Sequence, residues 1–531
     1  MLRIINFRVP VEENTPLTEL AARRLRLPPG GIATVAIARR AVDARRKSNI
    51  AFVYSLDVAV HTAEGQVLAR LNGDKDVSIR PETRPDPLVL GSESLEHPPV
   101  IVGAGPAGLL AALLLAEHGY RPLVLERGRD VDRRSREVAQ FWQSGQFDPE
   151  SNVQFGEGGA GTFSDGKLTT RVNDPRLGEV LDRLIAAGAP PEIKYLHKPH
   201  IGTDMLRRVV KNLRQQIVAA GGQVEFEAKV TDIEVVDDRL TALVVNENRR
   251  IPCAVALFGI GHSARDTYQM LHRHGLAMEA KPFAIGVRIE HPQEMVDRAQ
   301  YGDMAGHASL GAADYSLVYH EKTSGRTAYS FCMCPGGLVV AAASEAGGVV
   351  TNGMSHFSRA SGLANSALAV NVTTADFPGV LGGIEFQRRY EELAFQCGGG
   401  GYAAPVQTVG DFLAGKASGQ QFLSKPSYRP ATQAADLRNC LPDFVAATLA
   451  RALPDFGRRI RGFDHPGAVM TGVETRTSAP VRLLRGENQM SLNIAGLYPV
   501  GEGAGYAGGI MSAALDGMNA AVAVIKEYRP F

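Results

Sequence analysis

The densest apolar pattern in the chain lies between Pro99 and Glu126. A short run at 100–102 is followed by glycines at 103, 105 and 108, a longer apolar run at 109–116 and a third run at 123–125. Short apolar runs bounded by turn residues predict buried strands, and a longer run predicts a buried helix. We therefore expect strand, glycine turn, helix and second strand, with Glu126 at the tip.

The spacing of these glycines is that of a dinucleotide-binding turn, although a purely structural turn is the alternative. Gly103 permits the tight turn, Gly105 lets the backbone approach a pyrophosphate, and Gly108 lets helix and strand pack closely. The helix N-terminus attracts the phosphates, and an acid about 20 residues further on binds the ribose. The candidate contacts are Gly103, Ala104, Gly105, Pro106, Ala107, Gly108, Glu126 and Arg127.

Patterns further along the chain continue an α/β unit. Apolar residues at helical spacing predict a helix that ends at Gly221, and alternation from Val224 to Val230 predicts one half-buried strand. An apolar run at 254–258 predicts a buried strand that ends at Gly259. Strand-like runs at 283–289, 328–331 and 338–343 alternate with glycine-rich loops and predict a different architecture.

These patterns divide the chain into five parts. Residues 1–80 are predicted to form a small α/β domain, and the proline- and charge-rich stretch 81–98 a linker. Residues 99–280 and 466–531 are assigned to two parts of one cofactor-binding domain. Residues 281–465 are assigned to a substrate-side domain inserted between them.

Two further glycine-rich segments are candidates for the same site. The backbone of 155–168 either approaches the cofactor or forms a plain surface loop. In 494–517 an apolar strand ends at Gly501, and a helix begins near Gly509, where its dipole would stabilise negative charge on a cofactor. The additional candidate contacts are Gly158, Gly159, Ala160, Gly161, Val230, Gly259, Gly501, Glu502, Gly508, Gly509 and Ile510.

The motifs at 155–168, 261–266 and 501–509 resemble those of a bacterial family of uncharacterised FAD-dependent dehydrogenases, over nearly the whole chain. The wider resemblance is to flavoproteins of the glutathione-reductase type. It implies FAD as cofactor, a Rossmann-like FAD-binding domain with an inserted α+β domain, and hydride transfer between flavin and an unidentified small-molecule substrate. That superfamily usually has Gly-Asp where this chain has Gly501 and Glu502, so the contact of the longer acid is open.

The candidate catalytic residues are His262 and Lys167. His262 follows a strand end, so it either faces the cofactor or makes a loop hydrogen bond, with Asp266 as its partner or as a helix cap. Lys167 either polarises the flavin ring or is a solvated lysine. Arg476 either lines the substrate side or forms a surface ion pair.

Composition limits the alternatives. A net charge of +1 gives no general case for nucleic acid or membrane binding, and no apolar run is long enough to span a bilayer, so we expect a cytoplasmic protein. The five cysteines lack CxxC spacing and the histidines lack metal-ligand spacing, so no metal is expected. Cys332 and Cys334 are interpreted as small apolar strand residues.

A basic stretch leaves a second function open. Between Arg23 and Lys47 there are eight Lys or Arg residues and one acid, Asp43. This patch is either a solvated face or a contact for phosphates, which would suit an RNA-binding or tRNA-modifying flavoprotein; a flavin-containing scaffold is a third hypothesis. Since only one dinucleotide fingerprint is present, NAD(P)H is expected at most as a transient donor.

Overall fold

The computed structural model describes residues 1–80, 88–417, 419 and 421–531. Residues 1–80 contain β1 (Leu2–Pro10), α1 (Leu17–Arg24), β2 (Ile32–Asp43), β3 (Ala51–Val60), α2 (Glu64–Leu71) and β4 (Val77–Ile79). The strands form an antiparallel sheet in the order β2-β3-β1-β4. The sequence analysis missed β1, because a bulge between Ile4 and Phe7 shifts the alternation of its apolar residues.

Most of the proposed linker, residues 81–87, lies outside the described residues. The part that follows runs along the end of the last helix of the chain. Gly91 N donates to Ile525 O (2.8 Å) and Glu93 N to Glu527 O (3.2 Å). Residues 88–98 are therefore packed against the protein body.

The next part of the chain, residues 100–280, contains eight strands and five α-helices. The elements are β5 (Val100–Val102), α3 (Pro106–Glu117), β6 (Leu123–Leu125), α4 (Val131–Ser144), α5 (Leu177–Ala186), α6 (Thr203–Ala219), β7 (Gln223–Glu225), β8 (Val230–Val236), β9 (Arg239–Val245), β10 (Arg249–Pro252), β11 (Ala256–Phe258), α7 (Arg265–Arg273) and β12 (Met278–Ala280).

The remaining elements contribute strands to four sheets. They are β13 (Phe283–Pro292), α8 (Gln293–Tyr301), β14 (Val318–His320), β15 (Thr327–Cys334), β16 (Leu338–Ala341), β17 (Thr351–Met354), β18 (Leu363–Val372), α9 (Gly382–Cys397), β19 (Ala404–Thr408), α10 (Val409–Ala414), β20 (Thr432–Ala434), α11 (Asp443–Arg459), β21 (Val469–Glu474), β22 (Val481–Leu483), β23 (Leu497–Pro499) and α12 (Ile510–Glu527).

A five-stranded parallel sheet, ordered β23-β11-β5-β6-β7, joins the two ends of the predicted cofactor domain. Helix α3 is buried at every position in 107–116 and packs on α12 and α6. An all-apolar helix of this kind belongs in a core. The strand–turn–helix prediction is confirmed, and the fold is α/β with a Rossmann-like domain.

The single strand predicted from Val224 to Val230 is wrong. Val224 lies in β7 of the parallel sheet, whereas Val230 begins β8 of a three-stranded antiparallel sheet ordered β10-β9-β8. Glu227, between them, has a φ of +56°, and its N–H donates to Gly128 O (3.0 Å). The chain therefore turns at a residue whose side chain gives no turn signal.

A seven-stranded mixed sheet, ordered β14-β15-β18-β13-β21-β19-β20, forms the second large core. Strand β21 pairs with both β13 and β19, so this sheet extends to Glu474. The boundary that the sequence analysis drew between 465 and 466 is therefore too early. Local pattern misses this, because β21 is inserted between strands that are distant in sequence.

Candidate functional site

A cavity of about 400 Å³ opens at the carboxyl ends of the parallel strands. Ligands of open α/β sheets bind at this edge. The cavity brings together the three glycine-rich segments and residues of the seven-stranded sheet. Most of the predicted contacts line it: Gly103, Gly105, Pro106, Ala107, Glu126, Arg127, Gly159, Ala160, Gly161, Lys167, Val230, Gly259, His262, Gly501, Glu502, Gly508, Gly509 and Ile510.

Three predicted contacts do not line the cavity. Ala104 is buried, and its N–H donates to Glu126. A Cβ on Gly108 would lie 1.9 Å from Gly103 O, so this glycine serves the close packing of helix on strand. Gly158 has a φ of +83°, and a Cβ there would lie 2.1 Å from Thr162 Oγ1. All three support the turn from behind.

Glu126 holds the first turn to the second glycine segment. One carboxylate oxygen accepts from Ala104 N (2.8 Å), and the other accepts from Gly128 N and Gly156 N (both 2.9 Å). The side chain is 5% exposed and borders the cavity. The predicted ribose-binding acid is therefore also a structural clamp between two loops.

Arg134 holds the glycine-rich segment at 155–168 in place. It was not predicted from the sequence, where it is one of several charged residues that follow Glu126. Its guanidinium is fully buried and donates five hydrogen bonds to main-chain oxygens, of Asn152, Val153, Gly156, Glu157 and Gly159. Burial lowers the pKa of Arg134 to about 10. No local pattern distinguishes such a buried arginine from its solvated neighbours.

The glycine-rich segment lies between the N-termini of α3 and α12. A Cβ on Gly159 would be 3.2 Å from Gly105 Cα, and one on Gly161 would be 3.1 Å from Ile510 Cγ1. This geometry rules out the plain surface loop. Both helices therefore present their first N–H groups, which lack intrahelical partners, to one space.

The C-terminal turn is held by a side chain of its own helix. Asp516 accepts from Gly501 N (2.6 Å) and pairs with Arg485. Glu502 borders the cavity, and among the described residues its carboxylate has no hydrogen-bond partner. Burial raises the pKa of Glu502 to about 7, although Lys281 opposes the shift.

Asp266 is not the partner of His262; it lies in the first turn of α7, where its carboxylate accepts from Thr267 N (2.9 Å), and the N-cap position is occupied by Ala264. Its carboxylate pairs with Arg127 (2.8 and 2.9 Å) and Lys229 (2.7 Å). Arg127 also pairs with Glu150 and lies over the Phe155 ring, 4.1 Å from its centroid. The first turn of α7 thus supports the end of the cavity near Glu126.

His262 contacts its neighbour Ser263, with 2.8 Å between Nδ1 and Oγ. Ser263 Oγ in turn accepts from Arg476 Nη1 (2.8 Å). Burial, together with the charges of Arg476 and Arg265, lowers the pKa of His262 to about 3. His262 is therefore a neutral imidazole that borders the cavity.

Arg476 is not in a surface ion pair. It is 9% exposed, lines the cavity and donates to both oxygens of Glu391 (2.7 and 2.9 Å). Arg265 donates to the same carboxylate. Burial alone would raise the pKa of Glu391, but the two arginines bring it down to about 2.

The wall opposite the glycine segments contains residues that the sequence analysis did not assign. Phe331 and Cys332 from β15 and Glu474 from β21 of the large sheet line the cavity, together with Asn352 from β17 of the two-stranded β16-β17 sheet. Lys167 also borders it, with Nζ 4.0 Å from Asp165, whose carboxylate is paired with Arg359. Only the pairing of distant strands assembles this wall.

The basic stretch near the N-terminus is partly neutralised. Arg24 pairs with Asp74 (2.5 Å), Arg45 with Asp43 (2.8 Å), and Arg40 lies over the Phe52 ring. The free positive charge is therefore smaller than the residue count indicates. Within the described ranges, no group of three or more His, Cys, Asp or Glu side chains could hold a metal ion.

A parallel sheet with a dinucleotide turn that opens on such a cavity defines a nucleotide-cofactor-binding protein. A family model for the C-terminal domain of FAD-dependent proteins matches residues 282–477, and one for an NAD(P)-binding Rossmann-like domain matches 101–147. A domain of unknown function matches 1–59. An uncharacterized protein of Clostridium beijerinckii is 48% identical over 530 residues, covering 99% of each chain.

The chain therefore belongs to this family of FAD-dependent proteins, and FAD is its cofactor. Solved structures show only distant likeness. CtdE in complex with FAD is 11% identical over 81% of this chain and 84% of that chain, at a TM-score of 0.33. The flavin-dependent brominase Bmp2 is 12% identical over 80% and 78%, at 0.36. These values carry no argument about the reaction.

The residues around the cavity fit FAD. A Cβ on Gly105, Gly508 or Gly509 would meet no atom within 4 Å, so the backbone of both helix N-termini is open. Such N-termini bind phosphate and other anionic groups. Among the described residues, no helix is long and apolar enough to cross a membrane.

Proposed function

We propose that the chain is an FAD-dependent oxidoreductase of the glutathione-reductase type, which transfers a hydride between flavin and a small-molecule substrate. The observation that supports this proposal is the single cavity in which three glycine segments meet polar side chains of the seven-stranded sheet. When bound, FAD supplies a ring that accepts or gives up a hydride. The antiparallel sheet after β7 and the return strand β23 favour the glutathione-reductase arrangement.

The proposed roles follow from position. The N-terminus of α3 holds the pyrophosphate, and Glu126 the ribose. The dipole at the N-terminus of α12 stabilises negative charge on the group bound there. His262, being neutral, acts through hydrogen bonds rather than as a cation.

The substrate side is proposed to accept a polar molecule. Arg476, Lys167 and Glu474 border the cavity and can orient charged groups. Because the chain has one dinucleotide turn, NAD(P)H would visit this same space as a transient donor.

An anaerobic bleaching experiment tests the proposal. We expect yellow protein with about one FAD per chain, whose visible absorbance is lost with NADH, NADPH or one member of a panel of metabolites. Flavin that is reduced by dithionite but by none of these donors would contradict the oxidoreductase proposal. Colourless protein that cannot be reconstituted would contradict the flavin site itself.

A further inference from the structure

We propose that Cys332 and Cys334 form a redox pair beside the flavin, which interconverts between a dithiol and a disulfide and exchanges two electrons with the cofactor. This inference rests on the proposed function, since it requires a redox-active flavin in the cavity. The proposal gives a chemical role to the two thiols of the Cys-Met-Cys motif, which have none if these residues only fill space in the strand.

The first observation is position. Cys332 lines the cavity that the N-termini of α3 and α12 also line, and Cys334 lies directly behind it, fully buried. Both thiols are free. A cysteine pair with one member open to the cofactor space and one protected from solvent is suited to exchange electrons with the cofactor rather than with solutes.

The second observation is a local distortion of β15. Its pairing with β18 breaks between Phe331 and Cys334, and Cys332 has a φ of +44°, in the left-handed region. Bulges of this kind redirect a side chain and recur beside active sites. Here the bulge turns the Cys332 side chain toward the cavity, whereas in a regular strand the side chains would continue to alternate between the two faces of the sheet.

The third observation is the contact between the two thiols. The Cys334 S–H donates to the Cys332 carbonyl oxygen, with Sγ 3.3 Å from that oxygen. Residues two apart in a strand have Cα atoms about 6.6 Å apart, which is inside the range that disulfides span. This spacing is near the upper end of that range, so closing the pair needs a backbone adjustment at the bulge, where the pairing with β18 is already interrupted.

The charges around the pair favour a thiolate at Cys332. The bond from Cys334, with the positive charges of Lys167 and Arg288, holds the pKa of Cys332 well below its usual range despite burial. Arg288 donates to the Cys332 carbonyl oxygen (3.0 Å), while Glu474 balances its charge. Thiolates are the reactive form in disulfide chemistry.

The redox step is balanced by the flavin alone. When the pair closes, the Cys332 thiolate and the Cys334 thiol form one S–S bond, the Cys334 S–H bond breaks, and two electrons and one proton are released. The electron pair and this proton pass to the oxidised cofactor. The reverse step opens the disulfide with electrons from the reduced cofactor.

Another cysteine pair provides the matched control. Cys397, at the end of α9, has Cys440 as its neighbouring thiol, whose interaction lowers the pKa of Cys397 to about 7. Neither of these cysteines lines the cavity. Cys397→Ser therefore removes a similar thiol contact without touching the cofactor space.

The experiment combines an electron count with peptide mass spectrometry on the FAD-loaded protein. In an anaerobic dithionite titration, the air-oxidised protein is expected to take up about twice as many electrons per flavin as Cys332→Ser or Cys334→Ser, while Cys397→Ser behaves as the unaltered chain. After alkylation, the peptide with both cysteines should be unmodified in oxidised protein and doubly alkylated after flavin reduction.

Each outcome decides the proposal. Equal electron counts in all variants, or a doubly alkylated peptide in air-oxidised protein, would overturn the redox pair. The mass measurement uses the unaltered chain, so a variant that does not fold leaves the test intact. If a metabolite reduces the flavin and the cysteines do not change, the oxidoreductase proposal stands and the redox pair is rejected. If the cysteines respond to flavin reduction but no metabolite reduces the flavin, the redox pair stands and the oxidoreductase proposal is rejected.

Discussion

The two ends of the cavity differ in whether main chain or side chains form the walls. Near α3 the walls are main chain, because Gly103 and Gly105 bring the backbone to the cavity and Glu126 is engaged by three N–H groups. At the opposite end the walls are side chains, with Cys332 and Arg476 supplied by segments far apart in sequence. One end is main chain held by hydrogen bonds to Glu126, and the other is side chains held by charge pairs.

This difference corresponds to what each end binds. The nucleotide part of FAD is the same in every FAD protein. Main-chain N–H groups can bind its phosphates whatever the side chains are. A substrate is distinguished by side chains, whose charges are set in place by long-range pairing. Substitutions at the first end should therefore affect cofactor retention, and those at the second end catalysis.

The largest effect is expected at Gly108. A side chain there would place its Cβ 1.9 Å from Gly103 O, so Gly108→Val should abolish FAD retention and cost about 4–5 kcal/mol or more of unfolding free energy. FAD content and urea denaturation measure this. Gly65→Ala, where a Cβ meets no atom within 4 Å, is the control. A yellow, stable Gly108→Val protein would contradict the packing role.

Arg134→Met should have the next largest effect. The substitution leaves five main-chain oxygens of the glycine segment without their donor, which we expect to cost about 4 kcal/mol and to weaken FAD binding. The neighbouring Arg133→Met removes only an exposed pair with Glu227 and should be nearly neutral. Equal effects of the two changes in denaturation and FAD titration would contradict this role of Arg134.

Glu391→Gln probes the side-chain end. It leaves Arg265 and Arg476 buried with less than their compensating charge, so unfolding free energy should fall by about 3 kcal/mol. FAD affinity, measured by fluorescence titration of the folded protein, should change by less than about threefold, because Glu391 itself does not line the cavity. A loss of FAD affinity as large as that of Arg134→Met would contradict the division between the main-chain end and the side-chain end of the cavity.

The smallest effect concerns pH and Glu502. Because its folded pKa is about 7 against an ordinary 4.5, the folded state binds the extra proton between these values, and stability falls as pH rises through that window. We expect a loss of about 1–2 kcal/mol in FAD-free protein, and Glu502→Gln should remove it. Urea denaturation from about pH 5 to about pH 8 measures the slope. Parallel slopes for both proteins would contradict the assignment.

The same division explains what could be predicted from sequence. The glycine turn, the apolar helix α3, Glu126 and the start of α12 are each contained in a short stretch, so period and spacing were enough. The two alternatives left open for Asp266, a partner of His262 or a helix cap, did not include Arg127, to which the first turn of α7 directs it. Cys332 and Arg134 acquire their roles only from distant strands and loops.

The contact of residues 88–98 with α12 has a consequence at the far end of that helix. A Cβ on Gly91 would lie 2.2 Å from Glu527 C, so main chain packs against main chain at the C-terminus of the helix whose N-terminus borders the cavity. A shortened protein starting at Leu88 would keep this contact, whereas one starting at Pro99 would leave the carbonyls of Ile525 and Glu527 without these partners. The point at which the N-terminal part is removed thus decides whether the C-terminus of α12 keeps its support.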